Sequence, residues 1–336
     1  MPIMSSSISS SDRLVWRGFA VALLAAAAGV LVAMLAVAYL IDPYDTGRST
    51  LFGKAGIRPQ GPRTAAASRG RDPAYNAAVV GNSNIQLLSP ERLREKTGLD
   101  FVQLSVPGTG PKEQLVLIDW YLRHRREPAK AIVLSADSTW CTGDPALTNT
   151  KPFPFWLFSA NPLEYARGLL RYDVLEEVPR RMRYVFGQAE RARPDGYWDY
   201  ELEDRGLAYG ANPALRGRFD EARPGGAAFS GPFPAADRLR QVAEALPPET
   251  ALIVVFPPSY HGVQPLPGSR EAAGDEACKD ALRGAVASHP RATVIDWRVD
   301  RPETRDPDLF FDMTHYRLPI ARVIEDDVAA ALRRLR

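Results

Sequence analysis

Between Arg17 and Asp42 the chain runs GFAVALLAAAAGVLVAMLAVAYLI without a single charge, and this stretch limits what the chain can become more than any other. As a helix rising ~1.5 Å per residue it is roughly 36 Å long, enough to cross a ~30 Å hydrocarbon layer with some tilt. It has no polar face, which argues against a core helix of a soluble protein. A secretory signal peptide is the rival reading, with Ala36-Val37-Ala38 as a small-residue cleavage site. Signal cores usually run only about 7–15 residues, so an uncleaved anchor is favoured. Arg13 and Arg17 precede the stretch, and Asp42 and Asp45 follow it before Arg48, Lys54 and Arg58. By the positive-inside rule residues 1–17 form a cytoplasmic tail and 18–41 the transmembrane helix. The large remainder is then expected in the periplasm or outside the cell, with the lipid bilayer as a partner.

That remainder is ordinary globular material. The chain is 45% hydrophobic and 24% charged with a formal net charge of +2, so a sizeable core is affordable and a nucleic-acid-binding role, which needs a concentrated basic face, is not expected. Arginine far outnumbers lysine. The runs Arg123-His124-Arg125-Arg126 and Arg180, Arg181, Arg183 read as solvated helix faces. The cysteines are Cys141 and Cys278; in an oxidising compartment they are candidates for a disulfide, the alternative being two unrelated buried thiols.

Residues 42–75, rich in Pro, Gly, Arg and Ser, read as a linker lifting a domain off the bilayer. From 76 to 336 short apolar runs at 77–80, 101–106, 131–134, 251–256 and 293–296 alternate with helical patterns at 90–96, 112–126, 235–246, 271–288 and 320–336. Ser89 is the expected N-cap of the first of these helices, with Pro90 at its first position. Alternation of this kind predicts an α/β fold: a flavodoxin-like three-layer domain with a five-stranded parallel sheet. Residues 141–234 interrupt the rhythm with aromatic-rich sequence, including Phe153, Trp156, Tyr165, Trp198, Tyr200 and Tyr209. They read as a helical insertion with its own small core, a minority of whose rings stack on sugar faces.

Ligands of open parallel sheets bind at the carboxyl ends of the strands. The segments there are Gly81-Asn82-Ser83-Asn84, Pro107-Gly108-Thr109-Gly110, Ser135-Ala136-Asp137-Ser138, Pro257 to His261, and Asp312-Met313-Thr314-His315. A serine hydroxyl is too weakly acidic to attack unaided; it needs an imidazole base, and the base needs an orienting group. Ser83, His315 and Asp312 supply those parts. Against this stand blander roles, a turn residue for Ser83 and a helix cap for Asp312 and His315. His124, His261, His289 and His315 lack metal-ligand spacing, the glycines complete no dinucleotide fingerprint and no P-loop is present, so no metal or cofactor is expected.

In this order, Ser83, then Gly108, then Asp312 and His315 near the C-terminus, the chain resembles the SGNH/GDSL hydrolase superfamily over about residues 77–336. It is most similar to membrane-anchored SGNH-like proteins of bacterial surface-polysaccharide systems, which share an exit such as Ile41-Asp42-Pro43-Tyr44, a G-x-S turn and a late D-x-x-H. The resemblance implies Ser83 as nucleophile, His315 as base and Asp312 as its orienter, with the Ser83 and Gly108 N–H groups binding an oxyanion and Asn82 counted with Gly108 and Asp137 among the oxyanion- or substrate-binding residues. It further implies a serine esterase or O-acyltransferase acting on acyl esters of a glycan. One position departs from the pattern. Asp137 stands where the family supplies an asparagine amide to the oxyanion; the readings open to it are a protonated carboxyl, a carboxylate turned elsewhere, or one that binds substrate hydroxyls. The departure leaves room for a transferase or for an inactive SGNH-fold module that binds or scaffolds glycan. A flavodoxin-like binding domain outside the superfamily is the remaining alternative; it requires Ser83 and His315 to lie far apart.

Overall fold

The computed structural model describes residues 10–142, 151–201, 217, 219–220, 222–225 and 228–335. Parts of the tail and of the insertion, including Tyr209, lie outside them. The chain opens with helix α1 (Ser10–Ile41), whose apolar span Val15–Ile41 has a mean hydropathy of 2.7 and is long and apolar enough to cross a membrane. Helix α2 (Pro62–Arg71) precedes the sheet. The core then alternates β1 (Ala77–Gly81), α3 (Pro90–Thr97), β2 (Phe101–Ser105), α4 (Pro111–Arg123) and β3 (Ala131–Ser135). The insertion contributes α5 (Phe155–Phe158), α6 (Pro162–Leu169) and α7 (Tyr172–Val185). The remaining elements are α8 (Pro234–Ala245), β4 (Ala251–Phe256), α9 (Arg270–Val286), β5 (Ala292–Asp296), α10 (Pro302–Arg305) and α11 (Leu318–Arg334).

The five strands form one sheet in the order β2-β1-β3-β4-β5, every neighbouring pair parallel. Strand parity sorts the core into two layers. Ala78, Val80, Ile132, Leu134 and Val254 pack with Trp120 of α4, Leu239 of α8 and Leu282 of α9. Ala77, Val79, Val133 and Ile253 pack on the other face with Leu93 of α3 and Ile320, Ile324 and Val328 of α11. Covering both faces explains why strands β1 to β4 are buried at every position and why β1, β3 and β4 read as nearly continuous apolar runs, β2 alone of the four carrying a glutamine, Gln103, mid-strand. The caps follow the sequence: Ser89 Oγ accepts the Arg92 N–H at 3.4 Å, Pro90 is the first residue of α3, and Gly98 closes it at φ +73°. Because β2 and β3 flank β1 on opposite sides, the chain reverses direction across the sheet at β1. That leaves a crevice at the carboxyl ends of β1 and β3.

Three expectations need correction. The 42–75 stretch is not a free linker. Asp42 Oδ1 accepts from the Thr46 N–H and hydroxyl at 2.8 Å each, and Asp42 Oδ2 from the Gly47 N–H at 2.7 Å. Asp45, buried, accepts from Ser68 Oγ at 2.7 Å and the Gly56 N–H at 2.8 Å, and pairs with Arg71. Ala65, Ala66 and Ala67 of α2 are buried. An all-alanine face carries little hydropathic signal, so this packed helix looked like linker. Second, Arg181 is not solvated: it is buried, donating to the Lys54 carbonyl at 2.7 Å and to the Gly56 carbonyl. Third, among the described residues the insertion shows no separate core. Leu157, Phe158, Tyr165 and Val174 belong to the same buried cluster as the strands, and Ala38 near the end of α1 joins them.

Candidate active site

Strand β1 ends in Gly81, and the chain turns at once into a short 3₁₀ turn, Ser83–Ile85. The turn is tight for a steric reason. A Cβ on Gly81 would meet Ser135 Cβ at 2.7 Å and Ile85 Cγ2 at 2.8 Å, so only glycine lets β1 and β3 approach there. Ser83 is left half-buried at the crevice mouth.

His315 reaches it from the loop before α11. Ser83 Oγ and His315 Nε2 are 2.8 Å apart, and His315 Nδ1 lies 2.8 and 3.0 Å from the two Asp312 oxygens. A carboxylate only accepts, so Nδ1 carries the proton and Nε2 is left to accept from the serine hydroxyl. Burial pushes the Asp312 carboxyl up, but the hydrogen bonds from His315 and the Thr314 N–H outweigh it and hold the pKa at about 2. Asp312 is therefore ionised at any pH at which His315 could act as a base. Thr314 Oγ1 adds a donor to Asp312 Oδ1 at 3.1 Å, and the Tyr200 ring stands edge-on to the imidazole at 6.1 Å. His261, by contrast, is exposed on a separate turn.

Asn82 and Asp137 are bonded to each other and to the neighbouring turns, so that Asp137 is turned away from an oxyanion role. Asn82 Nδ2 donates to Asp137 Oδ2 at 2.5 Å, Asn84 Nδ2 approaches the same oxygen at 3.4 Å, and the Thr139 N–H and hydroxyl donate to Oδ1 at 3.0 and 2.5 Å. Asn82 Oδ1 meanwhile caps the Asn84 N–H at 3.0 Å. Both oxygens of Asp137 are thus committed to donors of the β1 and β3 turns. The carboxylate braces the Ser83 turn, and the hydrogen-bonding groups of Asn82 and Asp137 are engaged within that brace. The loop after β2 is tied into the same brace, since Thr109 Oγ1 donates to the Gly81 carbonyl at 3.3 Å. In that loop Gly108 sits at φ +66°, and among the described residues neither its N–H nor that of Ser83 has a hydrogen-bond partner.

Cys141 and Cys278 are bonded to each other, their Cα atoms 5.5 Å apart, and tie the Ser138–Cys141 turn after β3 to α9. This fixes one wall of a cavity of about 450 Å³ on the β3–β4 side of Ser83, lined among the described residues by Asn84, Thr314, Pro257, Phe229 and Gln264 together with the Arg298–Asp275 ion pair (3.0 Å). Sequence reasoning missed Asn84, Thr314 and Arg298. Asn84 and Thr314 were visible only as neighbours of Ser83 and His315, and nothing in the local sequence marks Arg298. No family model matches this chain, and no curated protein matches it significantly.

Proposed function

We propose that this protein is a membrane-tethered serine esterase or O-acyltransferase working on acyl esters, with a cell-surface glycan as the acylated partner. The observation that carries the reading is the continuous relay Ser83 Oγ–His315 Nε2 and His315 Nδ1–Asp312 at the carboxyl end of β1. In this reading Ser83 Oγ attacks the ester carbonyl carbon while His315 Nε2 takes its proton. The oxyanion draws on the N–H groups of Ser83 and Gly108. Collapse expels the alcohol, which leaves with the proton held by His315, and an acyl-serine remains. Water or a sugar hydroxyl, deprotonated by the same imidazole, then releases the acyl group. The resemblance to SGNH/GDSL hydrolases supports the assignment, as does the aspartate-histidine pair close to the C-terminus.

The extracytoplasmic placement rests on Arg13 and Arg17 before the apolar span and on the Cys141–Cys278 bond, since disulfides persist in oxidising compartments. The test is fluorophosphonate labelling of the full-length protein in detergent with peptide mapping. Labelling at Ser83, lost in His315→Ala, is expected; a folded protein that never labels refutes the activated serine. The carboxylate at 137, where the family has an amide, favours a second reading, a glycan-binding module without catalysis. Glycan binding that survives loss of both Ser83 and His315, with no turnover in the parent, would select it.

A further inference from the structure

A second cavity, of about 440 Å³, borders the nucleophile turn from the opposite side, at the carboxyl end of the edge strand β2. Gln86, which closes the Ser83–Ile85 turn through its N–H to the Ser83 carbonyl at 3.3 Å, is one of its walls. Ser105, the register partner of Gly81, is another. Arg69 of α2, Arg191 and Arg193 enter from the far side, and Trp198 lies at the rim with 58% of its surface exposed.

Three features of this cavity go together. It is basic: Arg193 is neutralised by Asp195 at 2.7 Å and Arg191 only touches Asp72 at 4.0 Å. Among the described residues no carboxylate lies within ion-pair distance of Arg69, whose charge burial penalises and the more distant Asp195 only partly supports. The uncapped N-terminus of α2, at Gln60, Gly61 and Pro62, adds the positive end of a helix dipole to the same wall. It is also unsatisfied: among the described residues Gln60 Nε2, Arg69 Nε, Gln86 Oε1 and Ser105 Oγ are buried polar atoms without a hydrogen-bond partner. Buried polar groups are nearly always paired, so four in the lining of one cavity mark a polar binding site. Finally, it has a platform, because an exposed indole at the rim of a polar pocket suits the apolar face of a sugar ring.

We infer that this cavity is a subsite for an anionic sugar unit, its carboxylate or other oxyanion paired with Arg69 and its ring against Trp198. The inference deepens the function proposed above, and rests on it in calling the ligand a substrate: the acylated partner is an acidic glycan, whose chain crosses Ser83 between two cavities. The contrast between them gives direction. The cavity on the β3–β4 side holds Asp137, Asp275 and a neutralised Arg298, so an acidic unit belongs on the β2 side.

The experiment is calorimetric titration of the full-length protein in lipid nanodiscs with three probes: a glucuronate-containing disaccharide, the matching neutral disaccharide, and inorganic phosphate. The acidic disaccharide should bind about 10- to 100-fold more tightly than the neutral one, the span of one charge-assisted hydrogen-bonded pair. Arg69→Gln should remove that preference. Trp198→Ala, a change at an exposed side chain that leaves the fold intact, should weaken both sugars. Equal binding of the two sugars, an acidic preference that persists in Arg69→Gln, or no binding of either would overturn the inference. Phosphate binding as tightly as the acidic sugar, with no effect of Trp198→Ala on any probe, would overturn the sugar assignment in favour of a simple anion site. Fluorophosphonate labelling of Ser83 is read on the same samples. Labelling without sugar preference fails the subsite alone, and sugar preference without labelling fails the esterase reading alone.

Discussion

Replacing Asp137 by asparagine separates two accounts of this site. If position 137 is a spoiled oxyanion donor, restoring the amide should speed acyl transfer and leave the fold alone. The geometry predicts the opposite. Oδ2 receives Asn82 Nδ2 at 2.5 Å and Asn84 Nδ2 at 3.4 Å, while Oδ1 receives the Thr139 N–H at 3.0 Å and its hydroxyl at 2.5 Å. An asparagine keeps one acceptor oxygen and turns the other position into a donor. With its oxygen toward Thr139, its NH₂ faces the two amides and leaves Asn82 Nδ2 only a 3.4 Å contact with the Thr109 carbonyl. Stranding a buried donor costs about 1–3 kcal/mol, and exchanging charge-assisted hydrogen bonds for neutral ones costs roughly 1 kcal/mol more. The total, about 2–4 kcal/mol, corresponds to a melting-temperature loss of roughly 5–10 °C for a domain of this size. Ser83 sits on the turn that loosens, so its labelling rate should fall as well. Thermal unfolding of the full-length protein in detergent, run beside a fluorophosphonate time course, measures both. An Asp137→Asn protein that melts within a degree of the parent and labels faster would refute the brace.

Two further outcomes follow from the same geometry. Asp312 is held at about 2 when folded, below the ordinary carboxylate value near 4, so its contribution to stability is complete above about pH 4 and is lost as pH falls towards 2. The difference in melting temperature between the parent and Asp312→Asn should accordingly stay level from pH 5 to 8 and shrink between about pH 4 and 2; a difference that vanishes already at pH 6 would contradict the assignment. The Cys141–Cys278 bond closes a loop of 137 residues, so a Cys141→Ser/Cys278→Ser double variant should lose about 2–5 kcal/mol in denaturant unfolding, and alkylation of the unreduced parent should find no thiol.

Much of the architecture was legible because buried parallel strands announce themselves. The runs at 77–80, 131–134 and 251–256 are apolar at every position, since both faces of the sheet are covered, and β1, β3 and β4 lie within a residue of them. The cap at Ser89 and the proline at the first position of α3 were local chemistry and needed no tertiary information. Ser83, Asp312 and His315 were legible for a different reason. Ser83 stands two residues past β1, and Asp312 and His315 lie in the loop before α11, in segments expected at the carboxyl ends of the strands, where ligands of such sheets bind. What stayed hidden depended on distant partners. Helix α2 buries alanines, which give no amphipathic contrast, against Trp120, whose indole N–H donates to the Ala67 carbonyl at 3.0 Å. Arg181 is buried because carbonyls more than a hundred residues away receive it.

The sequence by itself therefore determined the apolar span, the strand–helix alternation and the identities of the serine, histidine and aspartate, because these follow from hydropathy, local propensity and the chemistry a residue carries. Only the tertiary structure decided what those residues face. It set His315 at 2.8 Å from Ser83 across 232 positions of chain. It committed Asp137 to bracing the Ser83 turn, and left Arg69, among the described residues, without a carboxylate in ion-pair distance. The physical reason is that hydrogen bonds and ion pairs act over a few ångströms of space, and the distance between two residues in space is set by the packing of the sheet and its helices, which no local stretch of sequence encodes.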